Sequence, residues 1–151
     1  MRLVSIRKDK LKIYSVDKEM LQKSYRPCVL VINLAYKGKR YDFAVPLRSN
    51  INPSTPKDQY FPLPVRKTTK QGYRHGLHYI KMFPVDRSFL VKYRTEGNAF
   101  ATLIKTTVDK SEKAIVADCQ RYLKDYENGV KPMYSTDIDL LINAVFGVDP
   151  N

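Results

Sequence analysis

The chain has 151 residues, of which 27 are Lys or Arg and 15 are Asp or Glu, and its formal net charge is +12. This length predicts one domain over residues 1–151, long enough to bury a hydrophobic core. No apolar run approaches the ~20 residues that a bilayer span needs, and no secretory leader is recognisable at the start. The sequence therefore favours a cytoplasmic protein without a membrane partner.

The positive charge is unevenly distributed. Residues 1–110 hold 23 Lys or Arg and 8 Asp or Glu, whereas residues 111–151 hold 4 and 7. Between Phe43 and Val85 the only carboxylate is Asp58. One-sided positive charge attracts polyanions and speeds their encounter. Nucleic acid is the predicted partner, because no basic amphipathic helix suggests a membrane surface.

The cysteines and acids predict neither a disulfide nor a metal site. Cys28 and Cys119 lie in apolar segments and match no CxxC or metal-ligand spacing, so buried free thiols in a reducing compartment are expected. The few acids and the two histidines form no ligand cluster. We therefore expect no metal and no cofactor.

The first half of the chain has a β pattern. Arg2–Tyr14 predicts a strand and then a turn at Lys8–Lys10, and Val16–Lys23 fits a short helix or a loop. Cys28–Leu34 is the most β-prone run and predicts a central strand that is buried on both faces. A turn at Gly38 would join it to a second strand and complete a hairpin over Cys28–Leu47.

The second hairpin strand is expected to end in a loop without acidic residues. Large apolar residues alternate with smaller or polar ones, the period of a half-buried strand, at Tyr41, Phe43, Val45 and Leu47. Pro46 cannot donate a ladder hydrogen bond, so it predicts an edge or a strand end. Residues 48–57 contain two prolines and no acid, which is typical of a loop. The strand would thus lead Arg48 and Ser49 into this positively charged loop at residues 48–57.

The middle of the chain is rich in proline and then in basic residues. Residues 54–64 contain too many prolines for a regular helix, and residues 66–81 contain no acid. His78–Val85 predicts a strand with Tyr79 and Ile80 on opposite faces, and Phe89–Tyr93 is a further short apolar run.

The C-terminal part predicts helices. Ala99–Val108 fits either strand or helix. From Ser111 a helix is expected to end near Asn128-Gly129, with one face formed by Ile115, Cys119, Tyr122 and Tyr126. Thr136 can cap a second helix, with Asp137 and Asp139 in its first turn. That helix would end at Gly147 and pack through Ile138, Leu141, Ala144 and Val145. The order, mostly β and then α, predicts an α+β domain.

An ordered set of motifs resembles a known family, the ToxN/AbiQ endoribonuclease toxins of type III toxin–antitoxin systems. The matching segments cover nearly the whole chain: Tyr25-Arg26-Pro27 before the strand Val29–Leu34, then Tyr41–Ser49, Gly76-Leu77, Met82–Val85 and the two C-terminal helices.

The resemblance implies a strongly twisted antiparallel β-sheet, like that of the MazF/Kid toxins, with helices around it. It also implies metal-independent cleavage of cellular or phage RNA. The implied inhibitor is a small repeat RNA antitoxin, folded as a pseudoknot, that binds directly and forms a closed protein–RNA ring.

In the family's P-L-T-S-P-K loop the serine maps onto Ser49. Arg48 replaces the threonine and Ile51 replaces the lysine, so Lys57 or another basic residue would have to take the place of that lysine.

RNA can be cleaved without a metal because its own 2′-OH attacks the phosphorus, leaving a 2′,3′-cyclic phosphate and a 5′-OH. The protein must help to move protons and stabilise the phosphoryl charge. Ser49 can hydrogen-bond the 2′-OH or a phosphoryl oxygen, and Arg48 suits bidentate phosphate binding. Lys57 or Lys81 could stabilise the phosphorane. Of the two histidines, His78 is the preferred acid or base over His75.

The remaining candidates would contact RNA through charge or stacking: Tyr25, Arg26, Lys39, Arg66, Lys67, Lys70, Tyr73, Arg74 and Tyr79. Two other hypotheses stay open at this stage. One is a non-catalytic RNA-binding module that uses the same basic face, and the other is a basic protein–protein module.

Overall fold

The computed structural model describes residues 2–20 and 29–151, with side chains of the first hairpin strand from Ile32 onward. These residues contain seven strands: β1 Arg2–Ile6, β2 Val29–Tyr36, β3 Lys39–Ile51, β4 Tyr60–Leu63, β5 Arg74–His78, β6 Phe83–Pro84 and β7 Leu90–Lys92. They also contain three α-helices, α1 Ala99–Lys110, α2 Glu112–Glu127 and α3 Ile138–Phe146. Short 3₁₀ helices span Lys8–Val16, Lys57–Gln59, Tyr79–Lys81 and Arg87–Phe89.

All the strand pairs are antiparallel, in the order β4-β5-β3-β2-β1-β7, with β6 also paired to β3. The sheet curls and carries helices around it, which confirms the expected α+β class. The prediction that residues 54–64 avoid regular helix is also confirmed, since they form only a 3₁₀ turn and β4. Pro62 lies in β4 because an edge strand needs fewer backbone donors.

The β2–β3 hairpin is confirmed, and its turn has the expected chemistry. Lys37 and Gly38 have φ values of 47° and 78°. Two consecutive positive φ angles match the right-handed twist of hairpin strands. Tyr36 and Lys39 flank this turn as the last pair of the ladder.

β3 is longer than predicted. It continues through Arg48 and Ser49 to Ile51, so these residues are strand and not loop. The reason is a second partner: β3 pairs with β2 up to Pro46 and with β5 from Leu47 onward. Nor is Pro46 at an edge or a strand end, since it lies inside a central strand where pairing changes from one neighbour to the next.

The prediction that β2 is buried on both faces is wrong at Asn33. This side chain is exposed, accepts from Arg40 Nε at 2.7 Å and donates to Asp42 Oδ1 at 3.0 Å. Ile32, Leu34 and Tyr36 are buried. β2 is central in the sheet, but at Asn33 one of its faces is open to solvent and carries a polar side chain.

The main core lies between one sheet face and the helices. Phe43, Val45 and Leu47 of β3 pack in one cluster with residues of all three helices. The predicted apolar face of α2 is confirmed: its four residues are at most 6% exposed. Cys119 is a free buried thiol, whereas Cys28 lies outside the described residues.

Two further predictions need correction. His78–Val85 is not one strand: β5 ends at His78, and Tyr79–Lys81 form a 3₁₀ turn that lets the chain reach β6. The cap of α3 is Asp137, whose side chain accepts from Leu140 N. Thr136 is instead buried and donates its hydroxyl to Met82 O.

Two open alternatives are decided by the structure. Ala99–Lys110 is a helix, capped by the Asn98 side chain. In the segment Val16–Lys23, Val16 ends the 3₁₀ helix that follows β1 and residues 17–20 form a loop, whereas residues 21–23 lie outside the described residues. The end of α2 near Asn128 and the end of α3 at Gly147 are as predicted. Within residues 2–20 and 29–151, no helix combines the length and apolar character needed to cross a bilayer.

Gly76 provides a test of how closely β4 and β5 approach. A Cβ at this position would lie 2.4 Å from the carbonyl oxygen of Phe61. We expect Gly76→Ala to lower the free energy of unfolding by about 1–3 kcal/mol, because backbone must move to relieve the overlap. Urea unfolding measures this, with the exposed Gln71→Ala as the control. Equal stability of the two variants would contradict the close approach.

Candidate functional site

A cleft of about 440 Å³ lies where β3 and β5 end, between the 52–59 segment and residues 133–134. Its lining is partly polar and partly apolar and contains two cations and a histidine: Glu19, Arg48, Asn50, Ile51, Asn52, Ser54, Thr55, Gln59, His78, Ile80, Lys81, Met133 and Tyr134.

A β-bulge shapes this wall of the cleft. Arg48 pairs with Gly76 and Ile51 pairs with Arg74. Between these two pairs β3 therefore has one residue more than β5. A bulge bends a strand and redirects its side chains. As a result Asn50 and Ile51, which are neighbours in sequence, both line the cleft with Arg48.

Arg48 and His78 meet across the β3–β5 pairing. Arg48 Nη1 lies 3.4 Å from His78 Nδ1. Because a guanidinium has only donors, His78 Nδ1 must accept, and the ring proton is therefore on Nε2. The Nε2 atom is buried and has no hydrogen-bond partner in the described part of the molecule.

His78 is held in its neutral form. Burial first, and then the positive charges of Arg48 and Lys81, lower its pKa to about 3. Only 6% of the residue is exposed. In the free protein His78 is thus a hydrogen-bonding group rather than a cation.

Lys81 is a buried ammonium at the back of the cleft. Its Nζ donates to Glu19 Oε2 at 2.9 Å, to the Glu19 carbonyl at 3.2 Å and to the Tyr134 carbonyl at 2.7 Å. These three bonds use all its donors. Lys81 therefore joins the turn around Glu19 to the segment before α3.

A basic loop lies next to the cleft. Asn50, which lines the cleft, accepts a hydrogen bond from the Lys70 backbone N–H at 2.8 Å. Lys70 Nζ lies 5.7 Å from the Tyr73 ring centroid, and Arg66 lies 5.1 Å from that of Phe100. We call residues 66–74 the basic loop.

The comparisons with known proteins show a likeness in fold. No protein-family model matches the chain, and no curated protein matches it in sequence. A solved chain from a bacterial antiviral system regulated by a processed non-coding RNA superposes with a TM-score of 0.66. It shares 13% identity, and the match covers 93% of this chain and 94% of that one. The chain has the ToxN-like fold.

The ToxN-like fold brings together three of the five predicted catalytic residues. Arg48, His78 and Lys81 line one cleft. Ser49 is half-buried next to Arg48, and strand alternation directs it to the opposite face. Lys57 is exposed at the start of a 3₁₀ turn. Neither of these two is among the described residues that line the cleft.

The predicted RNA contacts fall into separate groups. Arg66, Lys67, Lys70, Tyr73 and Arg74 belong to the basic loop and keep exposed or half-exposed side chains. Lys39 is exposed at the start of β3, in another cleft of about 550 Å³. Tyr25 and Arg26 lie outside the described residues.

Two of the predicted candidates are buried. Tyr79 is 1% exposed and donates its hydroxyl to Asp118 at 2.9 Å, so its ring offers no face for a base. His75 is also 1% exposed, with Nδ1 2.7 Å from the carbonyl of Pro64 and its ring against Phe100. Burial lowers the pKa of His75.

The sequence reasoning missed most of the lining: Glu19, Asn50, Asn52, Ser54, Thr55, Gln59, Met133 and Tyr134. Ser54 and Thr55 carry hydroxyl groups into the cleft, and an Asx turn at Asn52 shapes this segment through bonds to Ser54 N and Oγ. The Asn-Pro-Ser-Thr-Pro run indicates such turns. Met133 and Tyr134 come from a distant segment and carried no signal for the site. In the described residues no three His, Cys, Asp or Glu side chains are grouped to hold a metal ion.

The buried neutral histidine predicts a pH dependence of stability. The unfolded His78 binds a proton below its ordinary pKa of 6.5, whereas the folded one does not until about pH 3. The unfolded state then binds more protons, so stability falls as the pH is lowered through this window, by at most about 1.4 kcal/mol per pH unit.

Urea unfolding at pH 7 and pH 5 measures the effect, and His78→Gln should flatten the slope. Comparing slopes removes any constant effect of the substitution, and His75 contributes equally in both proteins. A slope unchanged by His78→Gln would contradict a neutral buried ring.

The ion pair of Lys81 predicts a stability loss of its own. Lys81→Met leaves the Glu19 carboxylate and two carbonyl oxygens without this partner, so we expect the free energy of unfolding to fall by about 3 kcal/mol. The exposed Lys57→Met should change it by less than about 0.5 kcal/mol. Two equal values in urea unfolding would show that the Lys81 contacts contribute little.

Proposed function

We propose that the chain is a metal-independent endoribonuclease toxin of a type III toxin–antitoxin system, inhibited by direct binding of a repeat RNA. The observation that carries the proposal is the cleft, where Arg48 and His78 stand beside the basic loop in a ToxN-like fold. The similar solved chain belongs to an antiviral system that a non-coding RNA regulates, which supports RNA as the partner of this chain too.

Arg48 is the proposed phosphate-binding residue. It is partly exposed at the cleft wall, and the bulge holds the strand that carries it. Its guanidinium can pair with two phosphoryl oxygens while His78 stays within reach. Because Lys81 is fully hydrogen-bonded, its contribution to the phosphate is long-range attraction rather than a direct contact.

His78 is proposed to act through its Nε2–H. This donor is buried beside Arg48 and has no described partner, so a turn of the ring toward the cleft would let a phosphoryl oxygen accept from it. The negative charge of a bound phosphate offsets the two nearby cations that help to depress the pKa of His78. RNA binding would therefore raise this pKa and bring the ring closer to the range of a proton-transfer group.

The hydroxyl that contacts the 2′-OH has two proposed sources. The family resemblance assigns it to Ser49, on the strand beside Arg48. The cleft itself is lined by Ser54 and Thr55. Both readings use the same chemistry, so substitution of each hydroxyl in turn distinguishes them.

The proposed RNA surface extends from the cleft over the basic loop. Loss of a phosphate contact there should weaken binding and reduce its salt dependence. Assembly with a repeat RNA into a closed ring, with Lys39 on a second contact surface, is the corresponding proposal for the inhibited state.

Expression of the chain alone is expected to arrest growth, and Arg48→Ala should relieve the arrest. In vitro, Arg48→Ala should lower RNA cleavage by about 10²-fold or more, because it removes the main stabiliser of phosphoryl charge. The readout is cleavage of total RNA without added metal, with 5′-OH and 2′,3′-cyclic phosphate ends. Ser49→Ala, Ser54→Ala and Thr55→Val are compared in the same assay, and the largest loss identifies the hydroxyl.

Lys105→Ala on α1 is the matched control, since Lys105 is a partly exposed cation that pairs with Asp109 and lies outside the cleft. Salt-sensitive RNA binding without cleavage products would favour the non-catalytic RNA-binding module. Absence of RNA binding would contradict both readings.

A further inference from the structure

One aromatic side chain stands at the rim of the cleft. Tyr134 is 66% exposed, its neighbour Met133 is 76% exposed, and both line the cleft with Arg48 and His78. Every tyrosine of the main core cluster is far less exposed. An exposed aromatic ring next to a bound phosphate is the arrangement that single-stranded nucleic acids use for base stacking.

The backbone of Tyr134 is in a conformation that a tyrosine rarely adopts. Its φ is +67°, in a turn closed by the hydrogen bond from Ser135 N to Pro132 O at 3.1 Å. Tyr134 is the third residue of this turn, where a positive φ normally selects glycine or asparagine. Strained non-glycine residues concentrate at functional sites, so the presence of an aromatic side chain here calls for a role.

The turn is fixed at two points. Lys81 Nζ donates to the Tyr134 carbonyl at 2.7 Å, and Thr136 N donates to the Ile80 carbonyl at 2.9 Å. Both anchors belong to the segment that follows His78. The ring is thus carried by a turn tied to the same wall as the candidate acid–base residue, and little order has to be gained when a ligand binds.

We propose that Tyr134 is the base-stacking residue of the cleft and that it receives one nucleobase of single-stranded RNA beside the phosphate held at Arg48. The inference rests on the proposed function and refines it: the substrate is RNA with an unstacked base next to the bound phosphate. The cleft volume lies in the usual range for ligand sites of about 300–1,000 Å³.

The test uses a short single-stranded RNA of 2′-fluoro nucleotides, which keeps the bases and charge but lacks the attacking hydroxyl. Fluorescence anisotropy measures its affinity for the full chain. Tyr134→Phe should bind like the wild type, whereas Tyr134→Ala and Tyr134→Asn should bind about 5- to 100-fold more weakly. Tyr134→Asn keeps a residue that tolerates the positive φ, so it separates loss of the ring from distortion of the turn.

Val130→Ala is the control, because Val130 is an exposed apolar residue of the same connection that does not line the cleft. A second probe is the same backbone without bases. On this abasic strand, Tyr134→Asn and the wild type should bind equally, since only stacking has been removed.

Two results would overturn the inference alone: wild-type affinity for Tyr134→Asn, or an equal loss on the abasic strand. In either case the wild type would still bind and cleave RNA, so the proposed function would stand. A wild-type chain that binds no RNA would overturn both. Thermal unfolding of each variant accompanies the assay, and Tyr134→Gly should be at least as stable as the wild type because glycine relieves the positive φ.

Discussion

The constraint on which the rest of the structure depends is the change of partner along β3. One continuous strand pairs first with β2 and then with β5, and Pro46 lies at the junction. Proline lacks a backbone donor, so it is tolerated where one ladder ends and the next begins. The switch leaves the last residues of β3 extended away from β2, and these are the residues that form the wall of the cleft.

The same change of partner brings charged side chains together at the site. Gly76 pairs with Arg48 of β3 on one side and allows β4 to lie close to β5 on the other. β5 then ends at His78 in the cleft. The bulge in β3 brings Asn50 and Ile51 to the same space as Arg48. Removing these groups from water costs free energy, which the Lys81 ion pair offsets in part. The cost is visible in His78, which gives up its proton rather than add a third positive charge.

The sequence predicted the parts of the fold that have a strong local pattern. The hairpin, the face of α2 and the ends of α2 and α3 follow from periodicity, from Gly38 and from capping residues, all of which act within a few positions. Arg48 was predicted as a site residue because a strand leads it into an acid-free segment, and His78 because histidine is the side chain that ordinarily titrates near neutrality.

The parts that sequence could not supply depend on tertiary pairing. Residues 48–51 read as loop because Pro46 and Pro53 flank them, yet pairing with β5 makes them strand. Tyr79 read as a stacking residue because it lies in a basic run, but the 3₁₀ turn after His78 points it into the core. Tyr134 and Glu19 reach the cleft from segments more than 100 residues apart, which are joined by the contacts of Lys81 and by the hydrogen bond from Asp137 N to Asp17 Oδ2.

The acidic residues of the last third explain why the positive charge remains available at the cleft. Asp118 accepts from the Tyr79 hydroxyl, Asp139 binds Tyr36 and Lys37, and Glu127 accepts from the Lys37 backbone N–H. These carboxylates are used to attach the helices to the sheet and to neutralise the hairpin turn. The basic loop and Arg48 lie elsewhere, with Glu19 as the one acid in the described lining of the cleft, where it is paired with Lys81. These three acids are bonded to other residues and are absent from the described lining of the cleft, so they do not cancel its share of the net charge of +12. A cleft whose cations outnumber its carboxylates favours the approach of a polyanion by long-range attraction, and the groups at its wall then decide which polyanion fits.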